Sequence, residues 1–436
     1  MHLKQLLASV ALAAVMSLPA ALPALGQEKK DCPETLPEGT ECLAGADQNG
    51  AFYWIAKPQN WNGILVVHSH GGPRTAKPEP DDPIEDLERF AVTVEEGYAW
   101  AASNYRREGY GVRMAAEDTE NVRKIAEKLL GEPRLTLLHG QSWGANVAAK
   151  AAELYALDAD GKRNYDGVVL TSGVLGGGTE SYGFRADLRA VYQYYCKNHP
   201  RPEEAQYPVW QGLPKDGKMP RAELEKRVDE CTGVSLDKDK RSPEQTKNLA
   251  NILGVTKVPE GNLVAHLAWA TNLFQDIVWR RLEGKNPFDN SKTVYSGSDD
   301  DAALNEGVER FSADAEARRL LAYDADLTGA IVAPTISMHA RNDPTAFVEL
   351  EAQYRETVAN AGNADLLVQT FTDENQHSKL STPQYAAIFA AMVGWIDKSE
   401  KPSPASIAES CKAASARYDN EPCRFIMNYE PQVAGQ

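Results

Sequence analysis

A serine at 142, an aspartate at 343 and a histidine at 377 are the residues whose types and order could carry nucleophilic chemistry. Ser142 sits between two glycines in Gly140-Gln141-Ser142-Trp143-Gly144, at the centre of "LTLLHGQSWGANVAAKAAELY". A bare serine hydroxyl is a weak nucleophile and needs an adjacent base, itself oriented by an acid. His377, in "LLVQTFTDENQHSKL", would take the Ser142 proton and later return it to the leaving group. Asp343, in "APTISMHARNDPTAF", would hold the imidazole tautomer and stabilise the imidazolium. The rivals fit less well. Asp373 shares the loop of His377 and reads as solvated, and Glu349 falls in the helix after Asp343. His139 and His339 fall within strands, and His199 and His266 within a long polar segment, so all four read as structural.

The serine also needs a sharp turn. The apolar run 134–140, almost without alternation, reads as a buried parallel strand, and the small residues after Gly144 read as a helix. Strand, GxSxG and helix together make a nucleophile elbow, whose chain order is Ser…Asp…His. The elbow places the Trp143 N–H at a helix N-terminus, where it can stabilise an oxyanion. A second donor is expected from His70-Gly71-Gly72, from either Gly71 or Gly72, because glycine lets backbone N–H groups converge on a substrate oxygen. A zinc site at His68 and His70 is the competing reading, but no third ligand is apparent, so no metal and no cofactor is expected.

The elements that would position these residues follow along the chain. "AFYWIAK" (51–57) and "GILVVHS" (63–69) read as strands, and Asn62-Gly63 between them predicts a hairpin turn. Residues 98–105, 165–175, 330–340 and 366–371 read as further strands, and 114–130 and 382–398 as helices. Alternating elements of this kind predict an α/β chain with a doubly wound, mostly parallel sheet. The polar, helix-prone stretch between 175 and 330 is too long for a connection and predicts an inserted helical cap. The expected division is therefore a leader (1–26), core (27–175), cap (176–327), core again (328–398) and a tail (399–436). "LDADGKRNYD" (157–166) lacks the later ligands of a calcium loop and reads as a polar connection, and "SDDD" (298–301) as a solvated helix start.

Composition bounds the function. With 62 acids against 46 bases the formal charge is −16, which repels nucleic acid and anionic lipid. One lysine, an apolar stretch and Ala24-Leu25-Gly26 predict a cleavable signal peptide, hence a secreted or periplasmic protein with no stable membrane insertion. Six cysteines in an oxidising compartment predict disulfides. They allow fifteen connectivities, of which neighbour pairing gives Cys32–Cys42, Cys196–Cys231 and Cys411–Cys423. The sequence leaves the oligomeric state open.

The ordered set of elbow, His70-Gly71-Gly72 loop, Asp343 and His377 resembles the α/β-hydrolase superfamily over about 50–175 and 328–398. "KPQNWNGILVVHSHGG" is similar to secreted bacterial esterase-like members. "HSHGGP" with "NYRREGYG" also resembles the catalytic domain of the prolyl oligopeptidase family, but there is no preceding propeller, Ala145 replaces a usual glycine, and the insert is foreign to that family. The resemblance implies a serine hydrolase of carboxylic esters acting on a small-molecule or polymer ester, with a serine amidase or peptidase as the alternative and a non-catalytic binding protein as a third reading. Tyr192, Tyr195, Trp210, Trp269, Phe274 and Trp279 are candidates to wall an apolar or aromatic pocket, although buried aromatics mostly serve packing. His70, Tyr105 and Trp210 are the expected substrate contacts.

Overall fold

A computed structural model describes residues 27–433. The expected signal peptide lies outside the described residues. Among the described residues ten strands form one sheet: β1 (Glu28–Lys30), β2 (Glu41–Ala46), β3 (Phe52–Lys57), β4 (Ile64–Ser69), β5 (Ala99–Ser103), β6 (Leu135–Gln141), β7 (Gly167–Thr171), β8 (Thr335–Ala340), β9 (Leu367–Thr372) and β10 (Phe425–Ile426). Their spatial order is β1-β2-β3-β5-β4-β6-β7-β8-β9-β10. The run from β5 through β4 to β9 is parallel, and β1, β2, β3 and β10 pair antiparallel. Between β2 and β9 this is the sheet of an α/β-hydrolase fold, with β4 and β5 exchanged relative to chain order.

The central strands are buried on both faces, as their unbroken apolar runs require. In β4, Leu65 and Val67 join the core on one side, and Ile64 and Val66 the core on the other. The first core is covered by the helices Val112–Leu130 and Trp143–Leu154, the second by Pro83–Arg89, Thr382–Lys398 and Pro404–Ser415.

The expected hairpin between 51–57 and 63–69 does not form. β3 pairs with β5, and β4 lies between β5 and β6. Every β4 side chain is buried, so the strand belongs in the sheet interior, which an edge hairpin would deny it. Asn62-Gly63 does turn the chain: Gly63 has φ +83°, and Asn62 Oδ1 accepts the Ile64 N–H at 3.1 Å. The turn launches a crossover, with the Arg134 N–H donating to the Gly63 carbonyl at 2.7 Å. The hairpin of this region joins β2 to β3 across Asn49-Gly50, with Gly50 at φ +83°. β1 and β2, and the helix and strand of the tail, carried too little apolar pattern to be read from sequence.

Between β7 and β8 the chain is helical, chiefly Gly183–Cys196, Arg221–Thr232, Pro243–Thr256 and Leu263–Ala268, the last continuing as π-helical turns to Leu273. Its apolar side is continuous with the first core, which runs from Val67 and Trp143 to Tyr192, Leu224 and Phe274. "LDADGKRNYD" is a turn in which Asp158 Oδ1 accepts the N–H groups of Asp160 and Lys162. In "SDDD", Asp300 caps the helix Asp301–Gly307 through the Ala303 N–H at 3.0 Å. Disulfides join Cys32 to Cys42, Cys196 to Cys231 and Cys411 to Cys423. Among the described residues, no helix is long and apolar enough to cross a membrane.

Candidate active site

Ser142 follows the end of β6 and has φ +59° and ψ −125°, a region that non-glycine residues rarely occupy. Hydrogen bonds hold it there. Its N–H donates to the Thr171 carbonyl at 2.9 Å, and its carbonyl accepts from Ala145 and Val174, each at 3.0 Å. The two glycines are steric requirements. A Cβ on Gly140 would lie 2.3 Å from the Gly144 carbonyl oxygen, and one on Gly144 would lie 2.0 Å from the Ser69 oxygen and 2.5 Å from that of His70. The helix can therefore start hard against the β4 loop. Trp143, its first residue, has an N–H with no intrahelical acceptor.

The three residues picked out in the sequence meet here. Ser142 Oγ lies 2.8 Å from His377 Nε2, and His377 Nδ1 lies 2.8 Å and 3.0 Å from the two Asp343 oxygens. The Nδ1–H donates to the carboxylate, which leaves Nε2 to accept the serine proton. Asp343 is buried, and its Oδ1 also accepts the N–H groups of Thr345 at 2.8 Å and Ala346 at 3.0 Å. Burial alone would raise its pKa, but the bond and charge of His377 outweigh that and hold the carboxyl below its ordinary value.

Gly71 lies against the serine: a Cβ there would be 3.4 Å from Ser142 Cβ and 2.7 Å from Gln141 Oε1. Gly72, at φ +144°, is turned toward the Arg74 N–H. Gly71, Gly72, Ser142 and His377 border a cleft of about 250 Å³.

His70, Tyr105 and Trp210 do not border this cleft. His70 and Tyr105 are buried and stacked, with ring centroids 4.1 Å apart. His70 Nδ1 bonds the Gly71 carbonyl, its Nε2 lies 3.2 Å from the Asn104 carbonyl, and Tyr105 Oη donates to the His70 carbonyl at 3.2 Å. Burial pushes the His70 pKa down. Both residues brace the glycine loop from behind. Trp210 packs against the first core, to which the fully buried Tyr192 and Phe274 belong, and the Trp279 indole N–H donates to the Leu213 carbonyl. Of the six aromatics singled out, Trp269 alone borders the cleft. Helical periodicity places aromatics on a buried face without saying which cavity that face adjoins.

The rival residues have other partners. Asp373 is ion-paired with Arg341 at 2.6 Å in the open. His68 turns to Asp86, at 3.2 Å, and to His139 Nδ1, at 2.9 Å. Buried beside Asp343, His339 Nδ1 lies 3.1 Å from Glu351 Oε1, and its Nε2 lies 2.8 Å from the Ala346 carbonyl. Burial lowers the His339 pKa and Glu351 raises it, with a net rise.

Several residues at the site gave no sequence signal. Arg89 borders the cleft, donating from Nη2 to the Ser378 carbonyl at 2.7 Å, and the Gln141 amide donates to Ser378 Oγ, so the two grip the loop of His377. From the insert, Arg185 Nη2 donates to the Thr345 carbonyl at 3.1 Å, and His266 Nε2–H donates to the Pro344 carbonyl at 2.8 Å. Arg185 lies 4.6 Å from the Trp269 ring, and its Nε donates to His266 Nδ1 at 3.2 Å. Burial brings its pKa down to about 10, which leaves it charged at neutral pH.

No protein-family model matches the chain, and no curated protein matches it in sequence. Among solved structures it is similar to feruloyl esterase B from Aspergillus oryzae (TM-score 0.44, 14% identity, covering 83% of this chain and 81% of that one). It is also similar to closed-state lipase A from Candida antarctica (TM-score 0.44, 11% identity, 89% and 90%). A third likeness is to acylaminoacyl peptidase from Pyrococcus horikoshii (TM-score 0.35, 9% identity, 94% and 44%).

Proposed function

We propose that this chain is a secreted or periplasmic serine hydrolase that cleaves carboxylic esters through a covalent acyl-enzyme. The observation that carries the reading is the linear relay from Ser142 Oγ through His377 to buried Asp343, with both links at 2.8 Å. His377 Nε2 takes the hydroxyl proton as Ser142 attacks the ester carbonyl, and Asp343 stabilises the imidazolium. The Trp143 and Gly71 N–H groups receive the oxyanion; Gly71 is chosen over Gly72 because it lies against Ser142. The imidazolium protonates the departing alcohol, and the neutral imidazole this regenerates takes a proton from the water that attacks the acyl-enzyme, then returns it to Ser142 as the acid leaves. Trp269 offers a flat face to an aromatic group of the substrate. The segment 176–327 serves as the cap that closes the cleft, between core segments 27–175 and 328–398, with 399–436 as a tail. Three disulfides support an oxidising compartment.

The test pairs aryl and alkyl esters with matched anilides and dipeptides, on wild type beside Ser142→Ala. Esters should be cleaved far faster, and only by wild type. Amides cleaved with equal or higher kcat/KM would replace the ester reading with an amidase or peptidase. Turnover that persists in Ser142→Ala would remove the serine from the mechanism.

A further inference from the structure

The cleft contains two arginines in different electrostatic states. Arg74 is neutralised, 3.1 Å from Asp82 and 2.9 Å from Glu85. Arg89 makes no ion pair among the described residues, although acids outnumber bases by 62 to 46 in this chain. Its bonds go to neutral oxygens, Ser378 O at 2.7 Å and Gln141 Oε1 at 3.4 Å. A guanidinium has five N–H donors, so three remain for a ligand. The two acids that also border the cleft have other partners, Asp86 being 3.2 Å from His68 and Glu85 2.9 Å from Arg74, although the charge of Arg89 still reaches Asp86. Arg89 is exposed at the edge of the cleft, and its two neutral bonds fix the plane of the fork while three N–H donors keep no protein acceptor, an arrangement suited to a planar anion.

We propose that Arg89 recognises a free carboxylate on the substrate, so that the preferred ester carries an anionic group in its acid or alcohol half. The inference rests on the reading of Ser142 as nucleophile, since it places the carboxylate in the same 250 Å³ cleft as that serine and His377. The charge of the whole chain repels anions at long range, so an anionic ester needs a local cation to be held at all. Trp269, also bordering the cleft, adds a flat face for a ring attached to the carboxylate. Arg89 is thus a specificity-determining residue. It also has a positioning role, because its bond to the Ser378 carbonyl steadies the loop of His377.

These two roles are separable by competition. A fluorophosphonate labels an activated serine without needing the true ester. Labelling of Ser142 in the full chain is followed with benzoate or uncharged benzamide as competitor, in wild type, Arg89→Gln and Arg89→Lys. Benzoate should protect wild type at concentrations where benzamide does not. The benzoate protection constant should weaken roughly 10–100-fold in Arg89→Gln, the range of a charge-assisted pair. Arg89→Lys, a point charge without the fork, should fall between them, and it supplies the comparison if the glutamine variant does not label. A merely structural Arg89 would slow labelling but leave the benzoate-to-benzamide ratio unchanged. Equal protection by the two competitors in wild type, or an unchanged ratio in the variants, overturns the proposal while the serine hydrolase stands. No labelling of Ser142 in wild type overturns the hydrolase reading itself, and this inference with it.

Discussion

The sheet and the helical insert both hold parts of the Ser142–His377–Asp343 relay, but they do so by different means. On the sheet side the backbone does the positioning: Ser142 is pinned by bonds to Thr171 and Val174 and by two glycines with no room for a Cβ. On the insert side two side chains do it: Arg185 and His266 reach across to the carbonyls of Thr345 and Pro344, beside Asp343. Backbone positioning leaves a mark in local sequence, because only certain residues tolerate those angles and clearances. Side-chain bracing across 160 residues, for Arg185, and 78, for His266, leaves none.

The difference predicts a graded set of failures. The largest should come from the reacting groups, where Ser142→Ala and His377→Ala each lose on the order of 10⁶ in kcat, by analogy with measured triads. Combining them should cost little more than either alone, because the two act as one unit. Ester kinetics on the single and double variants check this, and additive losses would mean that the relay in the structure is not the working one.

Next in size is Gly144→Ala. The added Cβ meets two backbone oxygens, at 2.0 Å and 2.5 Å, and neither can step aside as a flexible side chain would. Destabilisation of about 1–3 kcal/mol or more is expected, the range of forced overpacking. Denaturant unfolding measures it. Activity should fall further than stability, because the loop pushed away carries Gly71. A tolerated alanine would show that the approach of helix to strand is looser than the sheet-side account requires.

The insert side should fail more gently. Arg185→Met removes the bond to Thr345 and the donor to His266 while keeping most of the apolar bulk between Phe184 and Trp269. Loosening the acid's loop by a fraction of an ångström should lower kcat/KM by about 10–100-fold, since misplacement of that order is enough to spoil catalytic alignment. The loss should fall in kcat more than in KM. A change confined to KM would make Arg185 part of substrate binding instead.

The same contrast explains what was legible in the sequence. The elbow, Asp343 and His377 are strand-end residues, and the strands announce themselves by apolar runs. The hairpin reading failed because Asn62-Gly63 specifies a turn but not the partner of the next strand, which burial on both faces of β4 decides. Neighbour pairing of the cysteines matched the disulfides, because short separations bring few alternatives within reach. Pattern alone could not say which cavity an aromatic adjoins, because an aromatic in an amphipathic pattern advertises burial alone; His70, Tyr105 and Trp210 do not border the cleft of Ser142. Arg89, Arg185 and His266 act through single long-range bonds, for which no periodicity exists.

The smallest predicted effect belongs to His266 and concerns pH. Its Nδ1 accepts from Arg185 Nε at 3.2 Å, and its Nε2–H donates to Pro344 O at 2.8 Å, so the bonded form is neutral. Burial, and then the adjacent Arg185 charge, bring its pKa down from the ordinary 6.5 to about 3. Between those values the unfolded chain binds a proton that the folded chain does not, so unfolding is favoured as pH falls. The stabilising effect of this neutral histidine is therefore complete above pH 6.5 and is lost progressively through the window down to about 3. At about 1.4 kcal/mol per pH unit the loss between pH 6.5 and 5 is at most about 2 kcal/mol, less whatever solvent screening removes. Two other groups act outside this range. Asp343, depressed, loses its stabilisation only below its ordinary 3.8. His339, raised, keeps its stabilisation below 6.5 and loses it as pH rises through its folded value. Urea midpoints for wild type and His266→Asn between pH 5 and 7 isolate the effect. The variant should be less stable at pH 7, and the difference should shrink toward pH 5 because asparagine has no proton to gain. Parallel slopes would mean that His266 does not titrate against the fold.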